Sequence, residues 1–394
     1  MKRRILFVDD EPNLLEGLKR ILRPFRHEWE MGFVGNGAAA LVSLEQNHWD
    51  VVVSDVRMPG MNGVELLNEV RKRHPQTIRI LLSGQADKQL IFDAIGPAHQ
   101  YLAKPCDGEF LRATISRACA LGDLLQDKNI KQLISKIESI PSLPSLYLQL
   151  EKELQSCESS IEKAAAIVGK DIGMTAKILK LVNSAFLGIP LTVTDPIQAV
   201  RYLGLDTLKT LVLTFKIFEQ LGQNGCVGFD MNRFWSHCLS TGEQARKIAK
   251  EEKSDPPIVE AALAGGLLHD VGMLLFLTYF PDRYQEALKN FTNRECSLME
   301  SERETFGTTH AEVGAYLLGL WGLPNSIMEA VAFHHQPIES SDQTITPLTV
   351  VQVANGLAEE KDSHILEGDS LFFERELLPE SSFANRLQTW RELP

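Results

Sequence analysis

Four short apolar runs, each ending in a residue able to do chemistry, constrain this 394-residue chain more than any other feature. Ile5 to Val8 runs into Asp9-Asp10, Val51 to Val53 into Asp55, Ile78 to Leu82, apolar but for Arg79, into Ser83, and Tyr101 to Ala103 into Lys104-Pro105. Stretches of helical period lie between them, such as Asn13 to Leu22. Wholly apolar strands are buried on both faces, and helices between successive strands impose parallel crossovers. The first 120 or so residues are therefore expected to form a doubly wound α/β domain on a parallel sheet. In such a sheet the loops beyond the carboxyl ends of the strands share one crevice, which here would collect three acids, a hydroxyl and a lysine.

Asp9, Asp10 and Asp55 would repel one another there unless a cation joined them, and an open, oxygen-rich site suits Mg²⁺. With a hard cation bound, one carboxylate can attack phosphorus while a lysine and a hydroxyl stabilise the transferred oxygens. The segments ILFVDDEPN, VVVSDVRMPGMNG, ILLSG and YLAKP resemble the receiver domain of two-component response regulators over about residues 3–120. That resemblance implies a flavodoxin-like fold with Asp55 as phosphoacceptor. It implies Mg²⁺ held by Asp9, Asp10, Asp55 and the Arg57 backbone carbonyl, Ser83 and Lys104 on the phosphoryl group, and Tyr101 as an aromatic switch. A cis peptide at Lys104-Pro105 follows from the same likeness, as does a sensor histidine kinase or phosphotransfer protein as donor. Gly84-Gln85 after Ser83 departs from the Ala-like residues the family often carries.

From Asp107 to Ile137 apolar residues recur at helical spacing, predicting one uninterrupted helix that leaves the first domain as a connector. Pro141 and Pro144 end it, since neither can donate a backbone hydrogen bond. The expected organisation is a receiver over 1–122, a connector over 123–140 and an all-α domain over 141–394. Helical period continues through Ile161 to Leu181, Thr207 to Leu221, His237 to Lys250 and Ile258 to Phe276. The connector's spacing suits a homodimer seam as well as packing on its own domain.

The second domain carries His237, His269-Asp270, His310 and His334-His335. Imidazoles with one carboxylate make a reasonable shell for a divalent transition metal, even a binuclear one, but the long intervals give no chelate spacing such as H-E-x-x-H. On spacing alone, scattered core histidines remain an open reading. Residues 137–358 are similar to the HDOD branch of the HD superfamily, through SIPSLPSLYLQL, KDIGMTAKILKLVNSAFLG, DPIQAVRYLGLDTLKTLVL, GGLLHDVGMLLF, THAEVGAYLLGLWGLP and AVAFHHQP. Within these, Leu179, Leu181, Val182 and Phe186 read as core. HD phosphohydrolases hold metals that activate a water for attack on phosphorus. Carried over by position, His237, His269, Asp270, His310, His334 and His335 form that ligand set, for Mn²⁺, Fe²⁺ or a similar ion. Two departures weigh against turnover. Asn355 stands where a final Asp ligand is expected, and Met273 stands where related phosphodiesterases have a Lys; their GYP signature is also missing after His335-Gln336-Pro337. The expectation is a non-catalytic HDOD output domain for a protein partner or a nucleotide ligand. The alternative is a receiver-gated, metal-dependent phosphohydrolase acting on a nucleotide or cyclic dinucleotide.

Charge narrows the partners. Residues 1–125 hold 16 Lys+Arg and 16 Asp+Glu, leaving 24 of the 40 basic and 36 of the 52 acidic residues for 126–394. The whole net charge of −12 thus falls on the second part, which disfavours nucleic acid and anionic membrane. The six cysteines lack any C-x-x-C spacing and read as reduced thiols. The apolar run after the basic start is too short for a signal-peptide core, and no run approaches the roughly 18 apolar residues of a membrane span. A cytoplasmic protein is expected.

Overall fold

A computed structural model describes residues 2–83, 97–104, 106–125, 127–137, 140–142, 144–156, 158–183, 192–214, 219–220, 229–293, 296–336, 344–365 and 380–393. Gly84-Gln85, the Lys104-Pro105 peptide geometry, Cys157, Phe186, Cys226 and Pro337 lie outside the described residues. The chain divides into two compact units. One is built on Met1–Glu138 and takes in Lys180–Thr192 and Gly319–Gly322; the other comprises Ser139–Leu179, Val193–Leu318 and Leu323–Pro394.

The first unit is a five-stranded parallel sheet: β1 (Arg3–Val8), β2 (Trp29–Val34), β3 (Val51–Asp55), β4 (Ile78–Ser83) and β5 (Gln100–Ala103), in the order β2-β1-β3-β4-β5. The strand order reverses at β1, so the crevice beyond the ends of β1 and β3 is the natural ligand position. The order is that of a flavodoxin-like sheet, as expected. Between the strands run α1 (Pro12–Ile21), α2 (Gly37–Gln46) and α3 (Gly63–Arg73). Asn62 starts α3 with a reciprocal capping box to Glu65, satisfying two otherwise orphaned donors. The strand β2 carries no apolar run of the kind that marks the other four, because only Trp29 in it is buried, as befits an edge strand.

The expected continuous helix over Asp107 to Ile137 is two helices, α4 (Gly108–Leu124) and α5 (Lys128–Ile134). Leu125 is extended, and the Asp127 side chain accepts from the Asn129 and Ile130 amides, starting a new helix. The apolar period survived the break because Leu125 and Ile130 are both buried, so burial continues where the hydrogen-bond ladder stops.

The second unit is helical, apart from a two-residue pairing of Pro141–Ser142 (β6) with Glu219–Gln220 (β7). Its first helices are α6 (Pro144–Gln155), α7 (Ile161–Val168), α8 (Ile172–Val182, whose last residues fall in the first unit), α9 (Pro196–Leu203) and α10 (Leu205–Lys209). The remainder are α11 (Met231–Glu251), α12 (Pro256–Leu268), α13 (Val271–Tyr279), α14 (Pro281–Asn293), α15 (Leu298–Phe306), α16 (His310–Leu320), α17 (Asn325–Phe333), α18 (Pro347–Ile365) and α19 (Glu380–Arg391). Residues 256–279 are long and apolar enough to cross a membrane, but 94% of their apolar 18-residue window is buried inside the protein. Its apolarity serves the core, and it is two helices, not one: the chain turns at His269-Asp270. Ile161 to Leu181 likewise divides into α7 and α8.

Candidate functional site

The first unit brings its three predicted acids together. Asp9 and Asp10 follow β1 and Asp55 ends β3, and each offers an oxygen within 4.8 Å of the others'. Lys104, just past β5, sets its Nζ 2.7 Å from Asp9 Oδ2 and 2.5 Å from Asp55 Oδ1. The Arg57 amide donates to Asp55 Oδ2 at 3.1 Å, which fixes the loop that carries the Arg57 carbonyl. Ser83 and Tyr101 are buried at the end of β4 and within β5, and the Lys104 amide bonds the Ser83 carbonyl at 2.8 Å. Burial pushes the Asp55 pKa up, against Lys104, and the neighbouring Asp9 charge adds to the rise. For Lys104 burial works downward, but its bonds to Asp55 and Asp9 win and raise it. Burial also raises the Tyr101 phenol. More carboxylate than cation is thus gathered here, and an oxygen-only donor set of this kind fits Mg²⁺.

In the second unit all six predicted residues meet. Asp270, His310, His334 and His335 form one group with ligand atoms within 4.8 Å of one another, and His237, His269 and Asp270 form another. Asp270 belongs to both. Most of these residues stand at helix ends: His269 closes α12, Asp270 precedes α13, His310 opens α16, and His334-His335 follow α17. His237 comes from within α11, and its ring centroid lies 5.2 Å from that of His269. The approach depends on glycine: a Cβ on Gly266 of α12 would lie 2.6 Å from the Gly242 Cα of α11.

The imidazoles are aimed. His269 Nδ1 lies 2.6 Å from the Gly266 carbonyl and His334 Nδ1 2.8 Å from the Val331 carbonyl, so each donates its Nδ1–H within its own helix. His310 Nδ1 faces Glu302 Oε2 at 2.7 Å. Their Nε2 atoms then converge on Asp270, at 3.1 Å for His269, 3.4 Å for His310 and 3.3 Å for His334. His237 Nε2 is 3.9 Å away and His335 Nε2 2.8 Å from His310 Nε2. Nitrogen donors presented inward with their outer nitrogens tied is how a transition metal is ligated, so the donor set fits such an ion. Burial works to lower the His310 pKa, yet Glu302 and Asp270 hold it up at about 10. Burial, reinforced by neighbouring imidazoles, takes His334 and His335 down to about 3. Burial alone would raise Asp270, but His269 and the bonds from His269, His310 and His334 keep it well below the carboxylate range.

Asn355 is buried in α18 and donates to Glu359 Oε1 at 3.1 Å, and Met273 is buried in α13. Glu302, which touches His310 from α15, and Tyr284, which bonds Glu302 from α14, were not legible in the sequence. Glu302 lies in a mostly polar segment, LMESERETF, where one inward-facing acid leaves no signature.

The comparisons agree with both units. The HDOD domain family matches residues 140–337, half of the chain, and the response regulator receiver domain family matches residues 5–116. An uncharacterized protein of Treponema pallidum (strain Nichols) is 25% identical over 223 residues, 57% of this chain and 43% of that protein. The hydrogenase transcriptional regulatory protein HoxA of Cupriavidus necator is 32% identical over 158 residues, 40% of this chain and 31% of HoxA. The chain thus spans less than half the length of these relatives. Among solved structures, the MmoQ response regulator from Methylococcus capsulatus str. Bath aligns with a TM-score of 0.50 and 25% identity, over 63% of this chain and 98% of that one. With the HDOD match covering half of its length, the chain belongs to the HDOD family, with a response regulator receiver domain at its N-terminus.

Proposed function

We propose that this response regulator takes a phosphoryl group on Asp55 with Mg²⁺ at Asp9, Asp10, Asp55 and the Arg57 carbonyl. Its output, on this reading, is a non-catalytic HDOD module that holds a transition metal and engages a protein or nucleotide partner. The observation that carries the first half is the gathering of three carboxylates beside Lys104 at the ends of β1, β3 and β5. Ser83 and Lys104 then contact the transferred oxygens and Tyr101 responds to the new dianion, which favours one packing of the receiver face over another. A histidine kinase or phosphotransfer protein is the donor and the cytoplasm the setting. With the acidic excess on residues 126–394, direct nucleic-acid binding is not part of this reading. Asp55→Asn is expected to abolish labelling by a small phosphodonor while the far-ultraviolet spectrum is kept; a variant that labels like wild type would refute the acceptor role.

What favours a holding rather than a hydrolytic module is closure. His237, His269, Asp270, His310 and His334 are all buried and His335 alone of the six is partly exposed, whereas catalytic sites keep a position open to substrate. A buried Met273 in place of a cation also withholds charge from a transition state. One observation favours hydrolysis instead: Asp270 is shared by two ligand groups, the arrangement of a two-metal centre. Phosphodiester assays with Mn²⁺ or Fe²⁺, run beside His269→Ala, separate the two. Turnover lost in that variant establishes the enzyme; no histidine-dependent turnover leaves the module.

A further inference from the structure

Glu302 is fully buried, which is costly for a carboxylate unless its oxygens are bonded. Three donors meet it. Tyr284 donates its hydroxyl to Oε1 at 3.1 Å, the His310 amide donates to Oε2 at 2.8 Å, and His310 Nδ1 lies 2.7 Å from the same oxygen. The helix that carries it is itself pinned, because Ser301 Oγ donates to the Ala287 carbonyl of α14 at 2.7 Å. The helix that carries the carboxylate is therefore fixed against α14 by contacts that do not involve the cluster, and Tyr284 holds Oε1 from the same side.

His269 and His334 tie their Nδ1 atoms to carbonyls three residues back in their own helices. His310 has no such option, because it is the first residue of α16 and the chain before it is not helical. Its outer nitrogen has to be tied from elsewhere. We propose that Glu302, braced by Tyr284, is the positioning residue that directs His310 Nε2 into the transition-metal site. The inference rests on the metal-holding reading given above. Glu302 also has a plainer duty as the acceptor for the first amide of α16. The two duties separate in a variant: a glutamine keeps an acceptor oxygen and the volume, but not the anion that holds the Nδ1 proton. Outer partners of ligand histidines of this kind are worth roughly 10–100-fold in metal affinity.

The experiment titrates Mn²⁺ by calorimetry into full-length, chelator-stripped wild type, Glu302→Gln, Tyr284→Phe and His269→Ala, with thermal melts of each metal-free protein. Glu302→Gln is expected to bind Mn²⁺ at least about 10-fold more weakly while melting close to wild type, and Tyr284→Phe to lose less. A capping role alone, which the glutamine oxygen preserves, would leave both the melt and the affinity of Glu302→Gln untouched. Wild-type Mn²⁺ affinity in Glu302→Gln overturns the inference. Should that variant not fold, Tyr284→Phe decides: weakened Mn²⁺ binding supports the bracing and unchanged binding refutes it. If wild type shows no Mn²⁺ binding that His269→Ala removes, the metal-holding reading fails first and takes this inference with it.

Discussion

His99 holds a neutral ring in a position that punishes a proton. Its Nδ1 accepts from the Arg79 amide at 3.1 Å, and its Nε2 sits 2.9 Å from the Ser135 carbonyl and 2.7 Å from the Arg79 guanidinium. The Arg79 guanidinium lies against the same carbonyl at 2.6 Å. Burial, then the charge of Arg79, drive the His99 pKa well below its usual 6.5, with Lys180 adding to the push and the Ser135 carbonyl opposing it. In the unfolded chain the ring titrates normally, so between the two pKa values the unfolded state binds more protons. The stability tied to neutral His99 is complete above about pH 6.5 and drains as the pH falls, at up to about 1.4 kcal/mol per pH unit. His99→Gln is expected to be less stable than wild type at pH 7, with the gap narrowing or reversing at pH 5 in urea melts of the first unit. A gap of equal size at both values would show that His99 is not the titrating group. Nothing in the sequence marks this ring, since a lone histidine before a short strand looks like any turn residue; its role exists only once Ser135, 36 positions on, is folded beside it.

Helices were legible in kind but not in extent, and the reason is specific. In α12 and α13 the helix is apolar all round, so periodicity offers no face and no boundary, and the turn at His269-Asp270 is invisible. The break at Leu125 was hidden in the same way, by burial continuing on either side of it. What makes the turn necessary is close contact: a Cβ on Gly272, two residues past Asp270, would lie 1.9 Å from the His310 carbonyl. Backbone meets backbone there, and neither side can move aside as a flexible side chain would. Gly272→Ala should therefore separate the start of α13 from the start of α16, costing on the order of 3 kcal/mol in chemical melts and parting Asp270 from His310. Mn²⁺ binding should fall together with stability, in contrast to Glu302→Gln, where affinity is expected to fall alone. An alanine variant with wild-type stability would mean that the helix ends are not held by this contact.

At the scale of the whole chain, two sites of opposite chemical character were readable to different depths. The acid crevice was legible because a parallel sheet converts sequence position into place: residues after successive strands must share one edge. The histidine cluster was legible as composition and by resemblance, but five helix segments had to fold before Asp270 could sit in both groups. The donor sets also differ in hardness, oxygen against imidazole, and this predicts selective stabilisation. An ion that binds only the folded form stabilises by RT ln(1 + [L]/Kd), about 2.7 kcal/mol at a hundredfold excess over Kd. Scanning calorimetry of the full chain with Mg²⁺ plus beryllofluoride, a mimic of the bound phosphoryl group, should raise the transition of the unit built on Met1–Glu138. Asp55→Asn should cancel that rise. Mn²⁺ at low concentration should raise the transition of the other unit, and His269→Ala should cancel that one. If Mn²⁺ stabilisation survives in His269→Ala but vanishes in Asp55→Asn, both effects belong to the acid crevice and the imidazole cluster holds no ion.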